Sequence, residues 1–331
     1  MTAFASTTPD FLERFEERIH SALHDTHHGK HEPRVLLEAS RHLTFAGAAK
    51  RMRPLLVDHF GAALGVNEET RLAIATSAEL IHTASLLHDD VVDEGTERRG
   101  EPTVNAQWNN SVAVLGGDLM LCIALEQLAA LPRQVTFDAV QLVAEMTRAA
   151  MLEVEARNST WDLKAWERIA DGKTGSLLAW CGTAPAVAAG FVVEAPRFGT
   201  CGRHLGLAFQ LTDDLLDLVG NMETIGKDPL ADLRNKNPSF PVALARDLSP
   251  ALATKLDDLW AQSTLEEEEL RLIADEIVTL GVPQKTLIRV ENHLDQALDA
   301  LGEFASRPGG EQIAQWAHRL RFIARSSLEK T

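Results

Sequence analysis

From Leu72 to Leu87 nearly every residue is apolar or small, and Glu79 is the only charged residue. A helix without a polar stripe is one surrounded by other elements, so the pattern predicts a buried helix over 70–93. Asn67 supplies its N-cap, and Glu68 and Glu69 follow in the first turn. Further helices are expected over 111–131, 136–157, 163–181, 203–219, 265–280, 284–303 and 311–327. Gly, Pro, Asn and charges collect at 26–34, 95–105, 221–241 and 306–310, which read as loops. No run of eight residues alternates cleanly, so strands contribute nothing to the plan. The apolar stretch at residues 177–193 is interrupted by Gly182, Thr183, Pro185 and Gly190. It falls short of the roughly 18 residues of a spanning helix and reads as two buried pieces around a kink. No linker-like shift divides the chain, so residues 1–331 read as a single all-α domain.

The buried helix ends unusually. "LLHDDVVDEGTERRG", residues 86–100, runs leucines into Asp89, Asp90 and Asp93 and then into Arg98 and Arg99. "GLAFQLTDDLLDLVGN", residues 206–221, repeats the device with Asp213, Asp214 and Asp217. Residues i and i+4 share a helical face, so Asp89 and Asp93 point one way, while Asp90 lies about 100° round. Two carboxylates one turn apart repel, and burying six without compensation is prohibitive. A hard divalent cation resolves both problems. Mg²⁺ takes one or two carboxylates, keeps water and completes its shell with substrate phosphates, so two facing clusters suit two or three Mg²⁺ around one diphosphate. An EF-hand is excluded, because neither cluster has the D-x-D-x-D-G loop.

Composition narrows the partners. A net charge of −16 argues against nucleic acid, which is bound through basic stripes. Three scattered cysteines with no C-x-x-C pair point to a reducing, cytoplasmic setting. No signal peptide or transmembrane segment is expected. The basic residues that do occur are placed beside the acids. Arg98 and Arg99 suit phosphate oxygens, and "AKRMRP" at 49–54 sets Lys50 and Arg53 at i, i+3, on one face before a long helix. Lys173-Thr174 and Lys227 add phosphate-type groups near helix ends. Together they describe a site for two polyanionic substrates. His20, His24, His27, His28 and His31 lack partners at ligand spacing and read as a solvated helix end. Trp108 and Trp180 are expected in the core.

The ordered motifs "AKRMRP", "ELIHTASLLHDDVVDEGTERRGEPTVN" (79–105), "AVLGGDLML" (113–121), "GKTGSLL" (172–178), "AFQLTDDLLD" (208–217) and "GKDPLADLRNKNPSFPVALA" (226–245) resemble the trans-isoprenyl diphosphate synthases, or polyprenyl synthetases, along almost the whole chain. The resemblance implies a bundle of antiparallel helices around a central apolar cavity, the isoprenoid synthase fold, and a homodimer. It implies that Asp89, Asp93 and Asp213, with Asp90, Asp214 and Asp217, hold Mg²⁺ around an allylic diphosphate that Arg98, Lys173 and Lys227 contact. Lys50, Arg53, His82 and Arg99 would bind isopentenyl diphosphate, Thr174 and Gln210 would line the reaction centre, and Arg325 would close over the second substrate. The sequence departs from the family pattern at Ala48-Ala49, Asn235 and Ser239, which leaves the ligand-type residues in place.

In this family product length depends on what stands below the first aspartate cluster. Ala84 and Ser85 leave that floor open, and one turn, about 5.4 Å, matches one added isoprene unit. Leu80 and Ile81, or Met120, Leu121 and Leu125 across the pocket, are the lower candidates. A product of C20 or longer is expected, with C15 as the alternative. A class I terpene cyclase would share the first cluster but not the second set of cations. A non-catalytic subunit would have lost one cluster, and an acidic interaction protein would not order its basic residues in this way.

Overall fold

A computed structural model describes residues 9–329 except 25, 28–29, 32, 48–49, 158–160, 221–228 and 263. It is built of helices. The N-terminal ones are α1 (Pro9–Ala22), α2 (Arg34–Phe45), α3 (Met52–Ala63) and α4 (Glu68–Val92), followed by the short α5 (Val104–Gln107). The middle of the chain forms α6 (Asn110–Gln127), α7 (Arg133–Arg157), α8 (Leu163–Ala170), one π-helical turn (Asp171–Gly175), α9 (Ser176–Ala188) and α10 (Ala195–Val219). Then come α11 (Ala231–Asn235), α12 (Phe240–Leu248), α13 (Pro250–Trp260), α14 (Glu267–Thr279), α15 (Val282–Leu301) and α16 (Gly310–Leu328). Among the described residues the only strands are two antiparallel two-residue hairpins, Thr26–His27 with Lys30–His31 and Glu97–Arg98 with Glu101–Pro102. No described helix is long and apolar enough to cross a membrane.

Helix α4 is the centre of the bundle for the reason its sequence predicts. The Asn67 side chain accepts a hydrogen bond from the Thr70 amide at 2.9 Å, satisfying one orphan donor at its start. Its sides are then covered by α1, α2, α3, α6 and α9. Leu80, Ile81 and Leu87 are essentially fully buried, and each burial is worth about 1.5–3 kcal/mol. Helix α10, which carries the second aspartate cluster, packs on α9, α15 and α16. Glycine makes the α9–α10 crossing close. A Cβ on Gly202 would stand 2.0 Å from the Leu178 carbonyl oxygen, and one on Gly182 would stand 2.3 Å from that of Phe198. This approach brings the π turn, with Lys173 and Thr174, against α10.

The run 177–193 differs from the expected kinked pair. Residues Ser176–Ala188 form one helix with Pro185 inside it, and the chain turns only after Ala189. Pro185 falls in the last turn, where its missing N–H removes one hydrogen bond from a helix about to end. Trp180 is buried in the core and Trp108 packs partly against it. His20 stacks face to face on Phe45, and the side chains of His27, His28 and His31 lie outside the described residues.

Candidate active site

Asp89 and Asp93 stand one turn apart at the C-terminal end of α4, where the helix dipole adds to their mutual repulsion. The fold answers with two cations and one further carboxylate. Lys173 Nζ lies 3.3 Å from Asp89 Oδ2 and also pairs with Glu153 of α7. Arg157, one turn beyond Glu153, pairs with Asp93 and places Nη2 3.3 Å from Glu153 Oε1. Burial pushes the Asp89 carboxyl above its ordinary range; Lys173 opposes this, while Glu153 and Asp93 add to it. Burial works against the Lys173 ammonium, yet Asp89 and Glu153 outweigh it and hold its pKa above the usual value. Glu153 and Arg157 were not expected from the sequence, although their i, i+4 spacing in "MLEVEAR" is a readable helix pair.

Asp90, expected beside them, turns elsewhere because it lies a third of a turn round the helix. It is 2% exposed and accepts from Arg98 Nε at 2.8 Å and Nη2 at 2.7 Å. The pair fastens the second hairpin to the end of α4. At that hairpin's tip Arg99 and Gly100 both have positive φ, 59° and 81°, the backbone signature of a tight I′ connection.

In the second cluster, Asp214 and Asp217 bond to neighbouring elements. Asp214 accepts from Trp166 Nε1 at 2.8 Å, the Phe240 amide at 2.9 Å and Gln210 Nε2 at 2.8 Å. Burial pushes its carboxyl up to about 7 against the pull of these donors. Asp217 accepts from the amides of Ala231 at 3.2 Å and Asp232 at 3.0 Å, and so caps α11. Asp90, Asp214 and Asp217 thus bond neighbouring elements, Asp89 and Asp93 face the cavity, and Asp213 is half-buried beside Asp214. Thr174 Oγ1 donates to Gln210 Oε1 at 3.2 Å, linking the π turn to α10. π-Helical turns recur at functional sites because they re-aim side chains within a helix.

A second charged group lies at the start of α3. Arg51, at φ 48°, donates to Glu79 at 2.7 Å and Glu16 at 2.6 Å. Its left-handed conformation separates Lys50 from the helix, so Lys50 and Arg53 do not share the helical face that their spacing predicts; Lys50 is exposed. Arg53 and Arg99 make no ion pair within 4 Å among the described residues, and Arg53 Nε is buried without a hydrogen-bond partner. Burial, with Arg53, Arg99, Arg98 and Arg51 behind it, holds His82 far below the usual imidazole range, so it is neutral. Four guanidinium groups thus face three carboxylates, Glu16, Glu79 and Asp90, which leaves positive charge for an anion. Arg325 is not brought here: its Nε donates to Glu291 of α15 at 2.6 Å. Lys227 lies outside the described residues.

One cavity of about 400 Å³ joins the two charged groups. Arg53, His82, Asp89, Asp93, Lys173 and Thr174 line its polar end, and Ile81, Leu86, Leu121, Val143 and Met146 continue it as hydrocarbon. Ser85 lines it one turn below Asp89, whereas Ala84 and Leu80 face the core, and Met120 and Leu125 are not on its wall. None of its lining residues is Phe or Trp.

Residues 33–277 match the polyprenyl synthetase family. A (2E,6E)-farnesyl diphosphate synthase from Mycobacterium tuberculosis is 34% identical over 279 residues, which cover 79% of this chain and 76% of that protein. An octaprenyl diphosphate synthase from Escherichia coli is 30% identical, over 82% of this chain and 85% of that one. The crystal structure of a polyprenyl synthase from Caulobacter crescentus CB15, complexed with calcium and isoprenyl diphosphate, superimposes with a TM-score of 0.85 at 26% identity, covering 96% and 95% of the two chains. With this fold, these motifs and these relatives, the chain belongs to the polyprenyl synthetase family and is a trans-prenyltransferase that makes a prenyl diphosphate.

Proposed function

We propose that the cavity condenses isopentenyl diphosphate with an allylic diphosphate, head to tail, to give an all-trans product of C20 or longer. The observation that carries this is the pairing of two charge types on one hydrocarbon cavity: a carboxylate pair at one edge and, at the other, Arg53, which makes no ion pair within 4 Å among the described residues. The donor set fits Mg²⁺: Asp89 and Asp93 offer hard carboxylate oxygens at the cavity, and Mg²⁺ is ordinarily completed by substrate phosphate. Asp89, Asp93 and Asp213, with Asp90, Asp214 and Asp217, would hold two or three such ions, which when bound neutralise the charge developing on the departing diphosphate.

The remaining work belongs to the chain's own side chains. Lys173 and Arg98 hold the allylic diphosphate oxygens. Ile81, Leu86, Val143 and Met146 keep water from the allylic cation. Arg53, Arg99, Lys50 and neutral His82 orient isopentenyl diphosphate so that its double bond meets that cation, and Thr174 and Gln210 line the meeting point. The released pyrophosphate takes the final proton. A homodimer through α6 and α7 is part of the same reading, supported by exposed Val114, Leu115, Phe137, Val140 and Met151 on those helices. The unpaired Cys122, Cys181 and Cys201 agree with a cytoplasmic setting.

Product length follows from the wall. With no Phe or Trp on it and Ser85 directly beneath Asp89, the chain grows past the first turn. Purified protein with Mg²⁺, labelled isopentenyl diphosphate and geranyl, farnesyl or geranylgeranyl diphosphate is expected to give C20 or longer products by mass spectrometry. Ser85→Phe is expected to stop at C15. A wild-type product ending at C15 would remove the length assignment. Pyrophosphate release from the allylic substrate without elongation would point to the cyclase reading.

A further inference from the structure

Three carboxylates and two cations interlock at the cavity mouth. Asp89 and Asp93 come from α4, Glu153 and Arg157 from α7, and Lys173 from the π turn. Each aspartate has its own cation, Lys173 on Asp89 and Arg157 on Asp93, while Glu153 touches both cations. An aspartate cannot give the same electron pairs to a guanidinium and to a divalent metal. Each cation competes with an entering metal for the charge of one carboxylate, so loading the site weakens the Arg157–Asp93 and Lys173–Asp89 contacts, and the displaced cations need somewhere to go. Glu153 answers half of that need, because it already holds both. The other half is a ligand for the freed donors. Arg157 has five N–H groups, its Nη atoms are divided between Asp93 and Glu153, and its Nε is buried without a partner. A planar guanidinium with spare donors, fixed from behind by a carboxylate, is suited to phosphate oxygens.

We infer that Arg157 is a resident counter-ion of the aspartate pair and a further ligand of the allylic diphosphate. Without substrate it occupies Asp93 in place of a metal. When metal and diphosphate enter together it passes to the diphosphate, and Glu153 keeps it and Lys173 at the mouth. The exchange makes metal binding by the empty site weak and ties it to arrival of the diphosphate. The inference rests on the prenyl-transfer reading of this cavity.

Two variants test it, Arg157→Met and Arg157→Lys, with Mn²⁺ alone as the first probe. Free Mn²⁺ is followed by electron paramagnetic resonance during titration of the substrate-free protein. Arg157→Met is expected to bind Mn²⁺ more tightly than wild type, by up to about fivefold for a partly exposed pair, and Arg157→Lys to stay near wild type. In steady state, Arg157→Met should raise KM for the allylic diphosphate by about tenfold or more, the worth of a charge-assisted hydrogen bond. KM for isopentenyl diphosphate and the thermal midpoint should hold, and lysine should recover part of the loss. A methionine variant with no gain in Mn²⁺ affinity overturns the counter-ion role. Equal rises in both KM values, or a rise that follows a lowered midpoint, overturn the ligand role. The Mn²⁺ titration needs no turnover, so it decides Arg157 even if the wild type fails to elongate, a result that would count against the prenyl-transfer reading itself.

Discussion

Asp89→Asn and Asp93→Asn should each lower kcat/KM for the allylic substrate by about 10²–10³-fold or more, the loss seen when one preorganised electrostatic contact to developing charge is removed. The two aspartates share one face at the mouth of the cavity, and asparagine keeps their shape while removing the charge that binds a cation. The loss should be partly relieved at high Mg²⁺, because the defect is one of metal occupancy. Unfolding should be little changed or shifted slightly upward, since each substitution removes a repulsive carboxylate. Initial rates over a Mg²⁺ series, with thermal midpoints alongside, check this. Activity within tenfold of wild type in both variants would place the metal elsewhere.

Glu79→Gln should cost about 3–5 kcal/mol of stability, the penalty for removing one partner of a buried ion pair. Glu79 is 4% exposed and receives Arg51 Nη1 at 2.7 Å, and its charge also favours the guanidinium forms of half-buried Arg53 and of Arg99. Without it, the arginine group keeps only Glu16 and Asp90. Glu79→Leu combined with Arg51→Met should be less damaging than Glu79→Gln alone, because burying two apolar side chains costs less than burying one unanswered charge. Urea denaturation of the three proteins decides it. A loss below about 1 kcal/mol for the single change would mean that the arginines are solvated rather than held by Glu79.

These residues also show what could be read from the chain alone. The aspartates were legible because period and chemistry agree: carboxylates at i, i+4 on the end of an apolar helix repel each other and call for a cation. The same rule shows why Asp90 stands apart, since its 100° offset from Asp89 carries it to Arg98. Lys50 and Arg53 were misplaced because Arg51 takes a left-handed conformation that no propensity announces, and two glutamates, Glu16 and Glu79, are what hold it there. The π turn at 171–175 leaves no mark on the apolar pattern, yet it aims Lys173 at Asp89 and Glu153. Glu153 and Arg157 belong to no motif, and only the packing of α7 against α9 and the π turn brings them to the aspartates of α4. The chain-length wall was half legible. Ser85 and Ile81 line the cavity and Ala84 and Leu80 do not, a distinction that depends on how α4 is rotated against its neighbours.

In the proposed reaction one cavity holds two diphosphate positions of opposite character, one that requires a metal and one built from arginines. Binding of isopentenyl diphosphate and of a non-ionisable thiolo analogue of farnesyl diphosphate, each measured by calorimetry with Mg²⁺ and again with a chelator, tests it directly. Isopentenyl diphosphate should bind in both conditions, and the thiolo analogue should bind only with Mg²⁺. Metal-dependent binding of both, or metal-independent binding of both, would contradict the assignment of the carboxylate and arginine groups to separate substrates.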